Sequence, residues 1–316
     1  MDNITLWDQE EYSYEASFGF IPSMRLYIHE DDIVRPCILI TPGGGYCIVS
    51  PSEGEIVAKK FYDMGYQAAV ITYTTNLIMS TPLKLQPMKD LMRAIRYVRK
   101  HADELKVNQI TLCGFSAGAH AVGTVGVHFE DIEDKKYPGI SGRPDALILS
   151  YPVITSGEYA HRDSLNALLG FSPSQEELNY MSLEKHVSEN TPPCFIWQTA
   201  TDELVPVNNS YLFAKALQEH HIPYSLHIFS KGPHGLSLAD ETWANEEFGE
   251  PYTLEQTFAL MKAVEDDLIP LPDEVKQMLL NQKAMLTGEV EHQKGNVWNE
   301  VKVWPTLVDE WLKGLK

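Results

Sequence analysis

The chain has 316 residues, 44% of them apolar and 22% charged, which is ample material for a buried core and unlike a disordered polypeptide. With 44 acidic against 25 basic side chains, its formal charge of −19 repels phosphate backbones and anionic lipid surfaces, which argues against nucleic-acid and membrane partners. The acidic residues are scattered, as in Glu10-Glu11, Asp31-Asp32 and Glu246-Glu247, and are assigned to a solvated surface rather than to chemistry.

One large domain, 1–316, carrying insertions is expected, because sheet-centred enzymes of this length are often single domains. Residues 1–11 show no basic-then-apolar leader pattern, and apolar runs such as 68–71 are too short to span a bilayer. Cys37, Cys47, Cys113 and Cys194 form no C-x-x-C pair, and three of them sit in strand-like runs. Buried thiols in a reducing cytoplasm are therefore expected.

In chain order, residues 18–27 read as antiparallel strand material at a sheet edge. From Pro36 onward, short β-branched runs alternate with segments of helical period, as βαβ units around a parallel sheet require. Strands are expected at 37–41, 67–73, 109–113, 145–151, 193–198 and 224–229, and helices at 53–64, 87–105, 117–129 and 207–220. In the second helix Met88, Leu91, Met92, Ile95 and Val98 recur at three- and four-residue steps, so one stripe faces the sheet. Residues 155–192 carry turn formers and a short helical piece, and are the expected cap over the C-terminal edge of the sheet. Residues 239–296 form a polar, helix-prone excursion of unassigned role, followed by a last helix at 305–315.

Gly114-Phe115-Ser116-Ala117-Gly118 matches G-x-S-x-G and stands between an expected strand and an expected helix. That turn needs small residues because backbone crowds backbone while Ser116 projects its oxygen; the competing reading is an ordinary serine in a tight turn. A serine hydroxyl needs a base, and His234 sits in the Gly232-Pro233-His234-Gly235 loop past the last core strand, where active sites assemble. His227 falls inside a strand, His220 and His221 end a helix, and His292 lies in the polar excursion. Asp202 follows the strand 193–198 at its C-terminal end and is the expected acid, with helix capping as its competing role and Glu203 beside it.

Pro42-Gly43-Gly44-Gly45-Tyr46 follows the first core strand and offers backbone amides unshielded by side chains, with the Ala117 amide as a further donor to an oxyanion. Tyr46, Phe115, Tyr151 and Trp197 stand at strand ends, where they either line a pocket or pack. His120, one helical turn after Ser116, reads as a hydrogen-bonded core histidine. No H-E-x-x-H or clustered Cys/His spacing occurs, so neither a metal nor another cofactor is expected.

Pro-Gly-Gly-Gly-Tyr at Pro42, Gly-Phe-Ser-Ala-Gly at Gly114, Thr-Ala-Thr-Asp with Val-Pro at Val205, and Gly-Pro-His-Gly-Leu at Gly232 together resemble the acetyl esterase and acetylxylan-esterase-like branch of the α/β hydrolases. So do Ser156-Gly157-Glu158-Tyr159-Ala160-His161-Arg162 and Asn208-Asn209-Ser210. The likeness covers about residues 15–240 and the last helix. It implies an α/β-hydrolase fold, a triad of Ser116, Asp202 and His234, and Gly44, Gly45 and Ala117 as oxyanion donors. Pro42 stands where hormone-sensitive-lipase-type esterases have histidine, which sets this chain in a different branch.

The expected activity is hydrolysis of a small-molecule ester, acetyl esters of sugars or other alcohols above all. Peptidase or acyltransferase chemistry on the same fold is the enzymatic alternative, and a non-catalytic binding protein the other. The excursion 239–296 either reshapes the substrate entrance or makes a subunit contact, which leaves a homo-oligomer open.

Overall fold

The computed structural model describes residues 2–286 and 295–315. An eight-stranded sheet runs through it: β1 (Asn3–Thr5), β2 (Ser23–Tyr27), β3 (Arg35–Thr41), β4 (Gln67–Thr72), β5 (Val107–Phe115), β6 (Ala146–Ser150), β7 (Cys194–Thr199) and β8 (Tyr224–Phe229), in the spatial order β1-β2-β4-β3-β5-β6-β7-β8. β1 and β2 pair antiparallel at one edge, and the strands from β4 across to β8 are parallel.

Continuous apolar runs make sense only if both faces of the sheet are covered, and they are. Alternate residues of each strand enter different cores: Cys37, Leu39, Ala69, Ile71, Leu147, Leu149 and Ile196 on one side, Ile38, Ile40, Ala68, Val70, Ile148, Phe195 and Trp197 on the other. The first core is closed by α2 (Gln86–Lys100), through Met88, Leu91 and Ile95, and by Ala121, Val122 and Val125 of a helix introduced below. The second is closed by α1 (Glu55–Asp63), through Ile56, Val57 and Phe61, and by the C-terminal helix, through Trp304 and Val308. Each fully buried aliphatic or aromatic side chain contributes about 1.5–3 kcal/mol relative to exposure, so the two layers hold the sheet rigid where the strands end.

The helix expected over 87–105 is interrupted at His101, with α3 (Ala102–Leu105) closing on Lys106 in the left-handed region (φ 55°). β5 is longer than expected, since Gly114 and Phe115 still pair with Leu149 and Ser150 of β6. α4 (Ala117–His128) follows it directly.

Within residues 155–192, α5 (Arg162–Leu169) and α6 (Gln175–Tyr180) form, the latter started by a capping box between Ser174 and Glu177. α7 (Asn208–Glu219) follows β7. The excursion opens with α8 (Glu241–Ala244), continues through α9 (Glu255–Glu265) and α10 (Asp273–Leu286), and its residues 287–294 lie outside the described residues. Its first part folds back on the antiparallel edge: Tyr252 Oη lies 3.1 Å from Tyr27 Oη, and Gln256 accepts from the Thr75 amide at 2.7 Å while donating to the Thr75 carbonyl at 2.6 Å. α11 (Trp304–Gly314) ends the fold. Among the described residues no helix is long and apolar enough to cross a membrane.

Candidate active site

The turn between β5 and α4 is drawn so tight that Ser116 takes φ 53° and ψ −119°, a conformation that costs a non-glycine residue on the order of 1–3 kcal/mol. It is held by the Ser116 amide, which donates to the Ser150 carbonyl at 3.0 Å, and by the Val153 amide, which donates to the Ser116 carbonyl at 3.3 Å. The flanking glycines leave no room for a side chain. A Cβ on Gly114 would stand 2.6 Å from the Gly118 carbonyl oxygen, and one on Gly118 would stand 2.3 Å from the carbonyl oxygens of Thr41 and Pro42. Helix, nucleophile turn and the end of β3 are thereby pressed together.

Ser116 is 6% exposed, and its Oγ lies 2.8 Å from His234 Nε2. His234 Nδ1 lies 2.8 Å from Asp202 Oδ2. Facing a carboxylate, Nδ1 carries the proton and Nε2 is left to accept from the serine hydroxyl. Asp202, with its side chain 1% exposed, is fixed on every side: Oδ1 accepts from the Leu204 amide at 3.0 Å and the Val205 amide at 2.9 Å, and Oδ2 also accepts from Gln198 Nε2 at 3.2 Å. Gln198 is itself placed by Ser210 Oγ, which donates to Oε1 at 2.6 Å. Thr201 Oγ1 accepts from the Gly232 amide at 2.9 Å, and Thr199 Oγ1 donates to the Gly232 carbonyl at 2.7 Å, tying the acid's turn to the histidine's loop.

The glycine loop after β3 passes beside this arrangement, a Cβ built on Gly43 falling 3.0 Å from Ser116 Cβ. Gly44 and Gly45 adopt φ 115° and 65°, which only glycine takes up easily. The Gly43 amide is engaged, donating to Glu53 Oε2 at 2.7 Å. Among the described residues the Gly44 and Gly45 amides donate to no backbone or side-chain acceptor. Ala117, first residue of α4, likewise has no intrahelical acceptor for its amide.

Each residue singled out in the sequence can now be placed. Ser116, His234 and Asp202 meet, Ala117 follows the serine directly, and the glycine loop that contains Gly44 and Gly45 comes closest to the serine at Gly43. The aromatic residues do not line a pocket: Phe115 and Trp197 are sealed in the second core against Trp304, with ring centroids 5.9 and 5.3 Å from it, because they point away from the nucleophile's side of the strand end. Tyr46 is buried as well, and Tyr151 packs its ring edge-on at 4.9 Å beneath His234. The pocket expectation is corrected for all four.

His120 is the core histidine it was expected to be. Its Nδ1 accepts from Tyr46 Oη at 2.7 Å and its Nε2 donates to the Met181 carbonyl at 2.9 Å, linking α4 to the glycine loop and to the 155–192 segment. Burial pushes its pKa down to about 4 from the ordinary 6.5. Because the folded state binds the proton more weakly than the unfolded chain, the contribution is fully present above pH 6.5 and is lost as pH falls toward 4, on the order of 3 kcal/mol in all. His120→Gln is expected to weaken that pH dependence relative to the parent in urea unfolding at pH 7 and pH 4.5. An equal slope in the two proteins would contradict the assignment.

Two residues to which the sequence assigned no role stand near the site. Glu53, 4% exposed, accepts from Gly43 and, through Oε1, from Tyr151 Oη at 2.6 Å. His161 precedes α5, with Nδ1 2.8 Å from Ser164 Oγ; burial lowers its pKa, and the nearby His234 adds to that. Among the described residues no group of three or more His, Cys, Asp or Glu stands where it could hold a metal ion.

The BD-FAE family model matches residues 24–217, more than half of the chain. Endo-1,4-beta-xylanase B of Butyrivibrio fibrisolvens is 50% identical over 263 residues, 82% of this chain and 41% of that protein. The chain spans less than half the length of the curated relatives it matches. The solved acetyl ester-xyloside bifunctional hydrolase from Caldicellulosiruptor lactoaceticus superposes with a TM-score of 0.71 at 35% identity, over 85% of this chain and 97% of its own. A carboxylesterase from Lactobacillus plantarum WCFS1 gives 0.57 at 25% identity, over 80% and 95%. The chain belongs to the BD-FAE family and has the α/β-hydrolase fold.

Proposed function

We propose that the protein is a serine esterase that removes short acyl groups, acetyl above all, from sugars or other small alcohols. The observation that carries this reading is the unbroken line Ser116 Oγ, His234 Nε2, His234 Nδ1, Asp202 Oδ2, with both steps at 2.8 Å, set on a strained turn beside unengaged glycine amides. Ser116 Oγ attacks the ester carbonyl as its proton passes to His234 Nε2. The resulting oxyanion is met by the Gly44, Gly45 and Ala117 amides, each such donor being worth about 10²–10³ in rate. The imidazolium then protonates the leaving alcohol, and water repeats the sequence on the acyl-serine to release the acid. The acetyl and sugar preference is supported by the likeness to the acetyl ester-xyloside hydrolase and to xylanase B.

The segment 155–192 serves as the cap, which is supported by Ser164 of α5, whose Oγ lies 3.9 Å from a Cβ built on Gly45. A reducing, cytoplasmic setting is supported by four free cysteines, three of them buried. The net charge of −19 favours a small-molecule substrate over nucleic acid or membrane.

A panel of aryl acetate, butyrate and octanoate, acetylated xylo-oligosaccharides and aminoacyl amides tests the substrate class. The reading requires acetyl esters to give the highest kcat/KM; faster cleavage of the amides would turn it toward a peptidase. Exhaustive chelation is expected to leave the rate unchanged, since backbone amides supply the charge stabilisation. Loss of activity on chelation, restored by a divalent ion, would contradict that mechanism.

A further inference from the structure

A second carboxylate lies behind the reacting groups, and the steps above make no use of it. Glu53 is buried where the glycine loop turns toward α1, with Oε2 accepting from the Gly43 amide at 2.7 Å and Oε1 from Tyr151 Oη at 2.6 Å. Tyr151 Oη in turn accepts from the Ser237 amide at 3.0 Å, two residues beyond Gly235, while its ring lies against that of His234. Glu53 thus reaches the loop that supplies the oxyanion donors and, through one phenol, the loop that supplies the base.

No Lys or Arg pairs with Glu53 among the described residues. The titratable groups around it are Tyr73, Tyr151 and Cys113, all held neutral by burial, and the cation within its reach is the His234 imidazolium. His234 itself faces Asp202, Tyr151, Glu53 and, from the start of α5, His161. Burial pushes the Glu53 pKa up, while the two donated hydrogen bonds and the His234 charge oppose that rise. A buried carboxylate with two donors aimed at it and no fixed counter-ion is a costly arrangement unless a positive charge appears nearby during turnover.

We propose that Glu53 is a positioning residue of the hydrolytic site: it fixes the Gly43 end of the oxyanion loop, and its negative charge stabilises the His234 imidazolium across the Tyr151 phenol. The inference rests on the reading of Ser116, His234 and Asp202 as the reacting groups.

Two variants, one removing the charge and one weakening it, move the acid limb in the same direction, which a purely structural role would not. Glu53→Gln removes the charge at nearly constant shape, so the imidazolium loses support, the acid limb of the kcat/KM profile moves to lower pH by about one unit, and plateau kcat falls about tenfold with KM within about twofold. Tyr151→Phe keeps the side chain of Glu53 but removes a donor to it, so Glu53 takes up a proton at higher pH, the imidazolium loses part of the same support, and the acid limb again moves to lower pH. Both are measured with a small acetyl ester, with folding followed by circular dichroism and Ser116→Ala run alongside. A folded Glu53→Gln enzyme whose acid limb stays in place overturns the proposal. Should that variant not fold, a folded Tyr151→Phe enzyme whose limb stays at or above the parent position overturns it instead. If Ser116→Ala keeps its turnover, the reading of the active site has failed rather than the role of Glu53.

Discussion

Ser116→Ala will fold like the parent protein and lose kcat by about 10⁶-fold, the size found when the serine of a triad is removed in an unrelated protease. Among the described residues the hydroxyl hydrogen-bonds to His234 alone, so removing one oxygen costs the fold on the order of 1 kcal/mol. The strained backbone at φ 53° is imposed by Gly114, Gly118 and the ladder to Ser150, none of which the substitution touches. The expected pattern is therefore a cooperative urea transition with its midpoint lowered by no more than about 0.5 M, beside near-zero turnover of an acetyl ester. Retention of activity within tenfold of the parent would place the nucleophile elsewhere.

Asp202→Asn will also fold, yet lose up to about 10⁴ in kcat. The geometry explains why so small a change has so large an effect. Asp202 Oδ1 accepts from both the Leu204 and Val205 amides, so the asparagine oxygen must stay there. Its NH2 is then forced into the Oδ2 position, facing His234 Nδ1 and Gln198 Nε2. His234 can meet an N–H donor only by moving its own proton to Nε2, and that tautomer cannot accept from Ser116. Steady-state constants with a small acetyl ester, with folding checked in parallel, decide the matter. Near-parental turnover in a folded variant would remove Asp202 from the mechanism and direct attention to its neighbour Glu203.

These predictions rest on residues that stood out in the sequence because their neighbours are chemically unusual. Gly114 and Gly118 flank a serine in a spacing that only a crowded turn demands, and continuous apolar runs such as Ile38-Leu39-Ile40 announce strands covered on both faces. Where the physics is non-local, the reading stopped short. Glu53 looks like any acidic residue at a helix N-terminus, and only the approach of Gly43 and of Tyr151, 98 positions away, makes it a buried acceptor. The excursion is anchored by Gln256 on Thr75, 181 positions apart, which no local pattern marks. β1 is three residues long with only Ile4 half-buried, too little for a periodic signal. Phe115 and Trp197 were candidates for a pocket because they end strands, but strand alternation turns them into the core below the nucleophile.

The most direct test of the central claim is covalent labelling with a fluorophosphonate, followed by intact-mass measurement and peptide mapping. Serine activation by His234 predicts one adduct per chain, on Ser116, formed rapidly in the parent protein, slowed by orders of magnitude in His234→Ala and absent from Ser116→Ala. Labelling that maps to another residue, or that persists at the parental rate without His234, would contradict the account.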